Sequence, residues 1–306
     1  MRGILKPDPA SRFSISTEVT IRPKKRMREI SAEHIAETVA TLVVDACVCL
    51  PDDIRDAFVR ARAEETDPGA RAILDILLEN ADLARESKLP ICQDTGVDVV
   101  FAELGSDVHI SGGLLTDAIN EGIRLGTRNG YLRTSMVNDP LRRVNTGDNT
   151  PGMIYTIPVA GDRLRITVAP KGAGCENMSR CTMLKPADGR EGVRRFILET
   201  VYASGANACP PLVVGVGLGG DFTYAGVLAK KAFLRTVGTR NPDSLYAEFE
   251  RELLQEINRT GTGPQALGGR STALDVFIET APCHIASLPV SVCINCHATR
   301  HASVEI

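Results

Sequence analysis

The chain lacks an excess of charge of either sign. Its 306 residues carry 35 Lys and Arg against 38 Asp and Glu, a net charge of −3. That balance provides no general attraction to nucleic acid or to an acidic membrane surface. No apolar run approaches the roughly 18 residues that cross a bilayer. A basic n-region followed by an apolar h-region is missing as well, so no secretory signal is read at the start. The expected setting is cytoplasmic, with neither nucleic acid nor membrane as a partner. Disulfides are not expected there, and an odd number of cysteines, nine, agrees with free thiols.

The composition is otherwise that of an ordinary globular domain, 43% hydrophobic and 24% charged. The core is large enough to need no metal or disulfide as a staple, so any cofactor is expected to serve chemistry. Residues 1–28 hold eight basic side chains against two acidic ones, with Pro7, Pro9 and Pro23. They read as a flexible basic N-terminal arm, within which Met27 is an alternative start. Residues 29–306 read as one α/β domain, mixed α+β, with helices packed around mixed sheets and a helical N-terminal half.

Helical spacing of Ile35, Val39, Leu42, Val43 and Ala46 marks a first helix. Asp67-Pro68 supplies an N-cap and a proline at the first helical position of a second. A third runs from about Leu114 to Arg128 and stops at Asn129-Gly130. Strands are expected at 97–104, 153–159, 163–170, 273–279 and 288–294, with a turn at Ala160-Gly161-Asp162 between the second and third. Helices return at 192–203 and 225–234. In a third C-terminal helix, at 242–258, Leu245, Phe249, Leu253 and Ile257 form one stripe. No internal repeat is visible.

Three motifs invite a function and lack its remaining parts. Gly215, Gly217 and Gly220 spell G-x-G-x-x-G, but no acidic residue ends a strand at the distance a dinucleotide fold needs. Close backbone packing is the plainer role. Cys293 and Cys296-His297 match a haem-attachment pattern, which belongs with export. Asp94-Thr95-Gly96 matches one half of an aspartic-protease pair, and no second copy exists.

Cys47 and Cys49 lie in an apolar helix and read as core. Cys92, Cys209 and Cys296 stand at junctions beside turn-forming residues, where side chains can reach a cleft. Their spacing alone does not gather them, since it matches no compact zinc or ferredoxin pattern.

PICQDTG (90–96), PKGAGCENMS (170–179), CPPLVVGVGLGG (209–220), GPQALGG (263–269) and HIASLPV…NCHATRH (284–301) together resemble the iron–sulfur fumarase and tartrate dehydratase family of class I hydro-lyases. They occur in that family's order. The resemblance implies that Cys92, Cys209 and Cys296 each hold one iron of a [4Fe–4S] cluster whose fourth iron has no protein ligand. Such an open position is a Lewis acid for a departing hydroxyl. It also implies that Gln93 and Asp94 contact substrate, with Asp94 assisting proton transfer. Arg133 would bind a carboxylate, which suits its fork of donors. Gly172 and Gly174 would belong to a substrate loop, and His284 would serve a neighbouring protomer's site. Cys175 departs from the small hydroxyl residue expected there.

Longer members carry a second domain beyond NCHATRH, whereas this sequence ends at Ile306. The resemblance therefore implies an α-type subunit, completed by a β-type subunit and paired into a heterotetramer around a small dicarboxylate. Hydration of fumarate to L-malate, a tricarboxylic acid cycle step, is the first expectation. Dehydration of L(+)-tartrate to oxaloacetate is the second, and methylfumarate chemistry the third. Two readings from other classes remain. One is an electron-transfer protein whose cluster is closed by Cys175 or Cys293. The other is a nucleotide module built on Gly215 to Gly220.

Overall fold

The computed structural model describes residues 27–306. The expected basic arm lies outside the described residues except for Met27 and Arg28, and Arg28 opens the first strand.

The element order is β1 (Arg28–Ser31), α1 (Ala32–Val48), α2 (Asp52–Glu64), α3 (Pro68–Ser87), β2 (Val97–Gly105), β3 (Val108–Ser111), α4 (Leu115–Asn129), β4 (Met153–Val159), β5 (Leu164–Lys171), α5 (Ala173–Glu176), β6 (Arg180–Leu184), α6 (Gly189–Ser204), β7 (Leu212–Gly220), α7 (Phe222–Ala232), α8 (Ser244–Asn258), β8 (Ala273–Cys283), β9 (Leu288–Asn295) and β10 (Ala302–Glu305). Side-chain caps start α1, α3, α7 and α8. Ser31 accepts the amide of His34 at 3.1 Å and Asp67 that of Ala70 at 2.8 Å, each satisfying a donor the helix cannot.

Two four-stranded mixed sheets share one topology, ordered β10-β5-β2-β4 and β6-β9-β7-β8. In each, a central strand (β2 or β7) runs parallel to one neighbour and antiparallel to the other. Those two neighbours follow each other directly in sequence. The turn at Ala160-Gly161-Asp162 therefore does not close a hairpin of β4 with β5. It passes over the end of β2, whose following residues are bonded to it: Ser106 N donates to Val159 O and Asp107 N to Gly161 O, both at 2.8 Å. Alternating apolar patterns identify strands but carry no information about which strand lies between two others.

The helices α1 and α4 cover the first sheet, where Ile35, Val39, Val43, Ile119 and Ile123 meet Val100, Ile166 and Val168. The second sheet is covered by α6 and α8 on one side and by α7 on the other. The glycines of β7 explain the second contact. A Cβ on Gly217 would stand 2.0 Å from Ala225 O, and one on Gly215 2.2 Å from Ala229 O, so α7 lies with its backbone against the strand. The expected stripe on α8 holds for Phe249, Leu253 and Ile257, whereas Leu245, in the first turn, is exposed.

Among the described residues Ala32–Glu64 is long and apolar enough to pass for a membrane span, contrary to the expectation that no such run exists. It is two helices, α1 and α2, broken at 49–51. The apolar residues of α1 are core, buried under α4 and β5.

Candidate active site

Cys92, Cys209 and Cys296 are carried by three different connections. The segment after α3 turns at Lys88, which is left-handed. It is pinned by Ile91 N donating to Cys47 O at 3.0 Å and by Asn80 Nδ2 donating to Ile91 O at 2.9 Å. Cys92 follows at once, half-buried. Cys209 sits between α6 and β7 in a left-handed conformation (φ 50°). Cys296 follows β9. Because Val213 of β7 pairs with Asn295 of β9, Cys209 and Cys296 lie at the same end of the second sheet. His297 straps them together, its backbone N donating to Cys209 O at 3.1 Å. Gln265 braces the strap, with Nε2 donating to Pro210 O at 2.8 Å and lying 3.2 Å from His297 Nδ1.

The sulfurs share one neighbourhood. Cys175, whose Sγ lies 3.6 Å from Asn295 Oδ1, neighbours Cys296, and Cys209 feels the charge of both Cys175 and Cys92. The neighbouring Cys296, with the ammonium of Lys171, holds the Cys175 thiol down at about 5. The interaction with Cys175, together with burial, pushes Cys296 well above the usual thiol range. Burial raises Cys209, and pushes Cys47 up to about 12, which agrees with an inert core thiol. Cys293 is buried within β9 among apolar neighbours that include Phe277. All nine cysteines are free.

Among the described residues no three His, Cys, Asp or Glu side chains converge tightly enough to hold one metal ion. A single zinc needs every thiolate about 2.3 Å from one point. A cluster that takes one thiolate on each of three irons sets no such demand. Cys92, Cys209 and Cys296, on three separate connections, could each offer one thiolate in that way.

The residues expected at the substrate side are joined by direct bonds. Asp94 accepts Gly96 N on Oδ1 at 3.0 Å and Ala173 N on Oδ2 at 2.8 Å. Thr95 Oγ1 donates to Arg133 O at 2.7 Å. Gln93, Asp94, Arg133 and the Gly172–Gly174 turn are therefore one assembly. A side chain would be tight at Gly172, where a Cβ would lie 3.3 Å from Asp94 Oδ2, and would make ordinary contact at Gly174, 3.4 Å from Asn207 O. Gln93 and Arg133 are exposed, and Arg133 makes no ion pair among the described residues.

His284 is not brought to this site. It occupies the exposed β8–β9 connection, beside Cys283, which pairs with Gly220 at the far end of β7. From Val213 to Gly220 a strand runs roughly 23 Å at about 3.3 Å per residue. The chain cannot deliver His284 to its own cysteines.

Three residues of the site were not singled out from the sequence. Lys171 is buried, with Nζ 3.0 Å from Cys175 Sγ and 3.2 Å from Glu176 Oε2. Gln265 is the brace described above. Arg300 is 3% exposed and donates from Nη2 to Asp94 O at 2.6 Å. Each lies inside one of the five motifs, but nothing in its residue type marks it apart from its neighbours.

The family model described as fumarate hydratase (fumerase) matches residues 36–305. A protein of Methanocaldococcus jannaschii provisionally named L(+)-tartrate dehydratase subunit alpha is 43% identical, over 89% of this chain and 97% of its own length. The L(+)-tartrate dehydratase subunits alpha of Escherichia coli K12 and Shigella sonnei are each 33% identical, over 91% of this chain and 93% of theirs. A match of that extent, over the loops that carry Cys92, Cys209 and Cys296, means that the chain belongs to the fumarate hydratase (fumerase) family of hydro-lyases.

Proposed function

We propose that this chain is the α-type subunit of an L(+)-tartrate dehydratase, removing water from L(+)-tartrate to give oxaloacetate in a complex with a β-type subunit. The convergence of Cys92, Cys209 and Cys296 beside the Asp94–Arg133 assembly carries the reading. Tartrate takes precedence over fumarate, the first expectation from the sequence, because the relatives cited are named for tartrate. Fumarate hydration is the second reading, supported by the description of the family model.

Cys92, Cys209 and Cys296 would hold the [4Fe–4S] cluster, which when bound supplies a Lewis-acid position at the iron without a protein ligand. Arg133, exposed and without an ion-pair partner among the described residues, takes one substrate carboxylate in its fork of donors. The Gly172–Gly174 turn leaves room for the other beside Asp94. Both oxygens of Asp94 already accept backbone amides, which supports a positioning role. The β-type partner then supplies the group that takes the proton from carbon. The subunit-alpha names support that partner, and two such heterodimers would place His284 of one α chain near the other's site.

The test is anaerobic co-purification with a β-type subunit, followed by product detection with L(+)-tartrate and with fumarate. Faster release of oxaloacetate from tartrate supports the proposal. Faster formation of malate from fumarate transfers the assignment to the second reading. The α chain alone is expected to hold iron and to turn over neither substrate.

A further inference from the structure

We propose that Arg300 is a positioning residue for the cluster: it ties the Cys92 loop to the Cys296 loop and turns its two remaining N–H groups toward the cluster's sulfur atoms. The inference rests on the cluster reading above.

Arg300 lies four residues after Cys296, and its Nη2 donates to the carbonyl of Asp94, two residues after Cys92. One guanidinium thus spans two of the three cysteine connections. Its Nε and Nη1 are buried and have no hydrogen-bond partner among the described residues. Leaving a charged donor buried and unpaired is costly, so native proteins rarely do so. The charge of Arg300 is felt by Cys296 and Cys47. The buried carboxyl of Asp98 feels it too, yet Asp98 Oδ2 takes its hydrogen bond from Asn149 Nδ2 at 3.0 Å instead. The cavity beside Arg300, lined also by Asn295, His301, Lys171 and Lys230, measures about 10 Å³ and admits at most one water. The two lysines there are already paired with Glu176.

Three thiolates and the sulfides of a cluster would form an anionic, weakly accepting surface. Unpaired guanidinium N–H groups complement it, and donors of this kind raise a cluster's reduction potential.

The experiment compares the α/β complex with its Arg300→Met and Arg300→Lys variants, all purified without air. It reads iron per chain, the midpoint potential of the cluster by redox titration, and the rate of bleaching in air. Arg300→Met is expected to lower the potential and to bleach at least ten-fold faster. Arg300→Lys keeps the charge and one donor, so its potential should stay near the parent's while bleaching still accelerates. If Arg300→Met does not fold, Arg300→Lys decides alone, and parent-like bleaching overturns the proposal. Iron in the parent, with potential and bleaching unchanged in Arg300→Met, would assign the donors to a trapped water and overturn this inference only. A parent without iron after anaerobic reconstitution overturns the cluster reading and this inference together.

Discussion

Asp94 and Ala173, 79 residues apart, are joined by a 2.8 Å hydrogen bond from the amide of Ala173 to the carboxylate. That bond closes the Gln93–Asp94 loop onto the Gly172–Gly174 turn. A second, from Gly96 N to the other oxygen, shapes the loop itself.

Removing both acceptors should separate the two segments. Asp94→Ala is expected to cost about 1–3 kcal/mol, a fall in Tm of about 3–8 °C, and at least a ten-fold loss of turnover. Asp94→Asn retains one carbonyl acceptor and should recover most of the Tm. Calorimetry and steady-state rates on the complex check this; equal Tm values for Asp94→Ala and the parent would argue against the bond's importance.

Arg133 is exposed, with only its backbone carbonyl tied, to Thr95. Arg133→Lys keeps the charge but loses the fork, so KM should rise by about 10–100-fold, or about 1.4–2.8 kcal/mol. Tm should not change. A KM equal to the parent's would remove Arg133 from the substrate site.

Two glycines, Gly217 in β7 and Gly226 in α7, give a paired test of the contact between those elements. Gly217→Ala places a Cβ 2.0 Å from Ala225 O and should destabilise by about 1–3 kcal/mol. Gly226, in α7, has nothing within 4 Å of the added atom. Gly226→Ala should therefore be neutral or stabilise by about 0.5–1 kcal/mol. Urea unfolding of both variants decides, and a tolerated Gly217→Ala would contradict the close approach.

Burial pushes the carboxyl of Asp98 up to about 7, against the hydrogen bond from Asn149 and the charge of Arg300. The native state therefore keeps a proton that the unfolded chain has lost. Stability from this group is present below the unfolded value near 4 and falls as pH rises through about 7. Asp98→Asn should flatten that part of the profile. Unfolding of the cluster-free chain at pH 5 and pH 8 measures it; an unchanged slope would place the titration elsewhere.

Much of the fold was legible because its signals are local. The cap at Asp67, the stop at Gly130 and the apolar runs of β2, β8 and β9 depend on residues within one or two turns of each other. The elements missed have weak local signals: β1, β3, β10 and α5 are four residues each, β6 is five, and α2 is rich in charge. At the site, motif order carried Cys92, Cys209 and Cys296. Gln265 and Arg300 stayed hidden because their partners are distant in sequence, as with Arg300 and Asp94, 206 residues apart. Lys171 has near partners, Cys175 and Glu176, but its burial depends on the tertiary packing.

By itself the sequence offered three junction cysteines, an arginine, a glycine-rich turn and the motifs of a hydro-lyase family. Only the tertiary structure decided which groups meet. Inserting β7 between β8 and β9 brings Cys209 and Cys296 to one end of a sheet and sends His284 to the other. Strand order depends on long-range pairing and on which faces can be buried together, and neither is written in the spacing of residues along the chain.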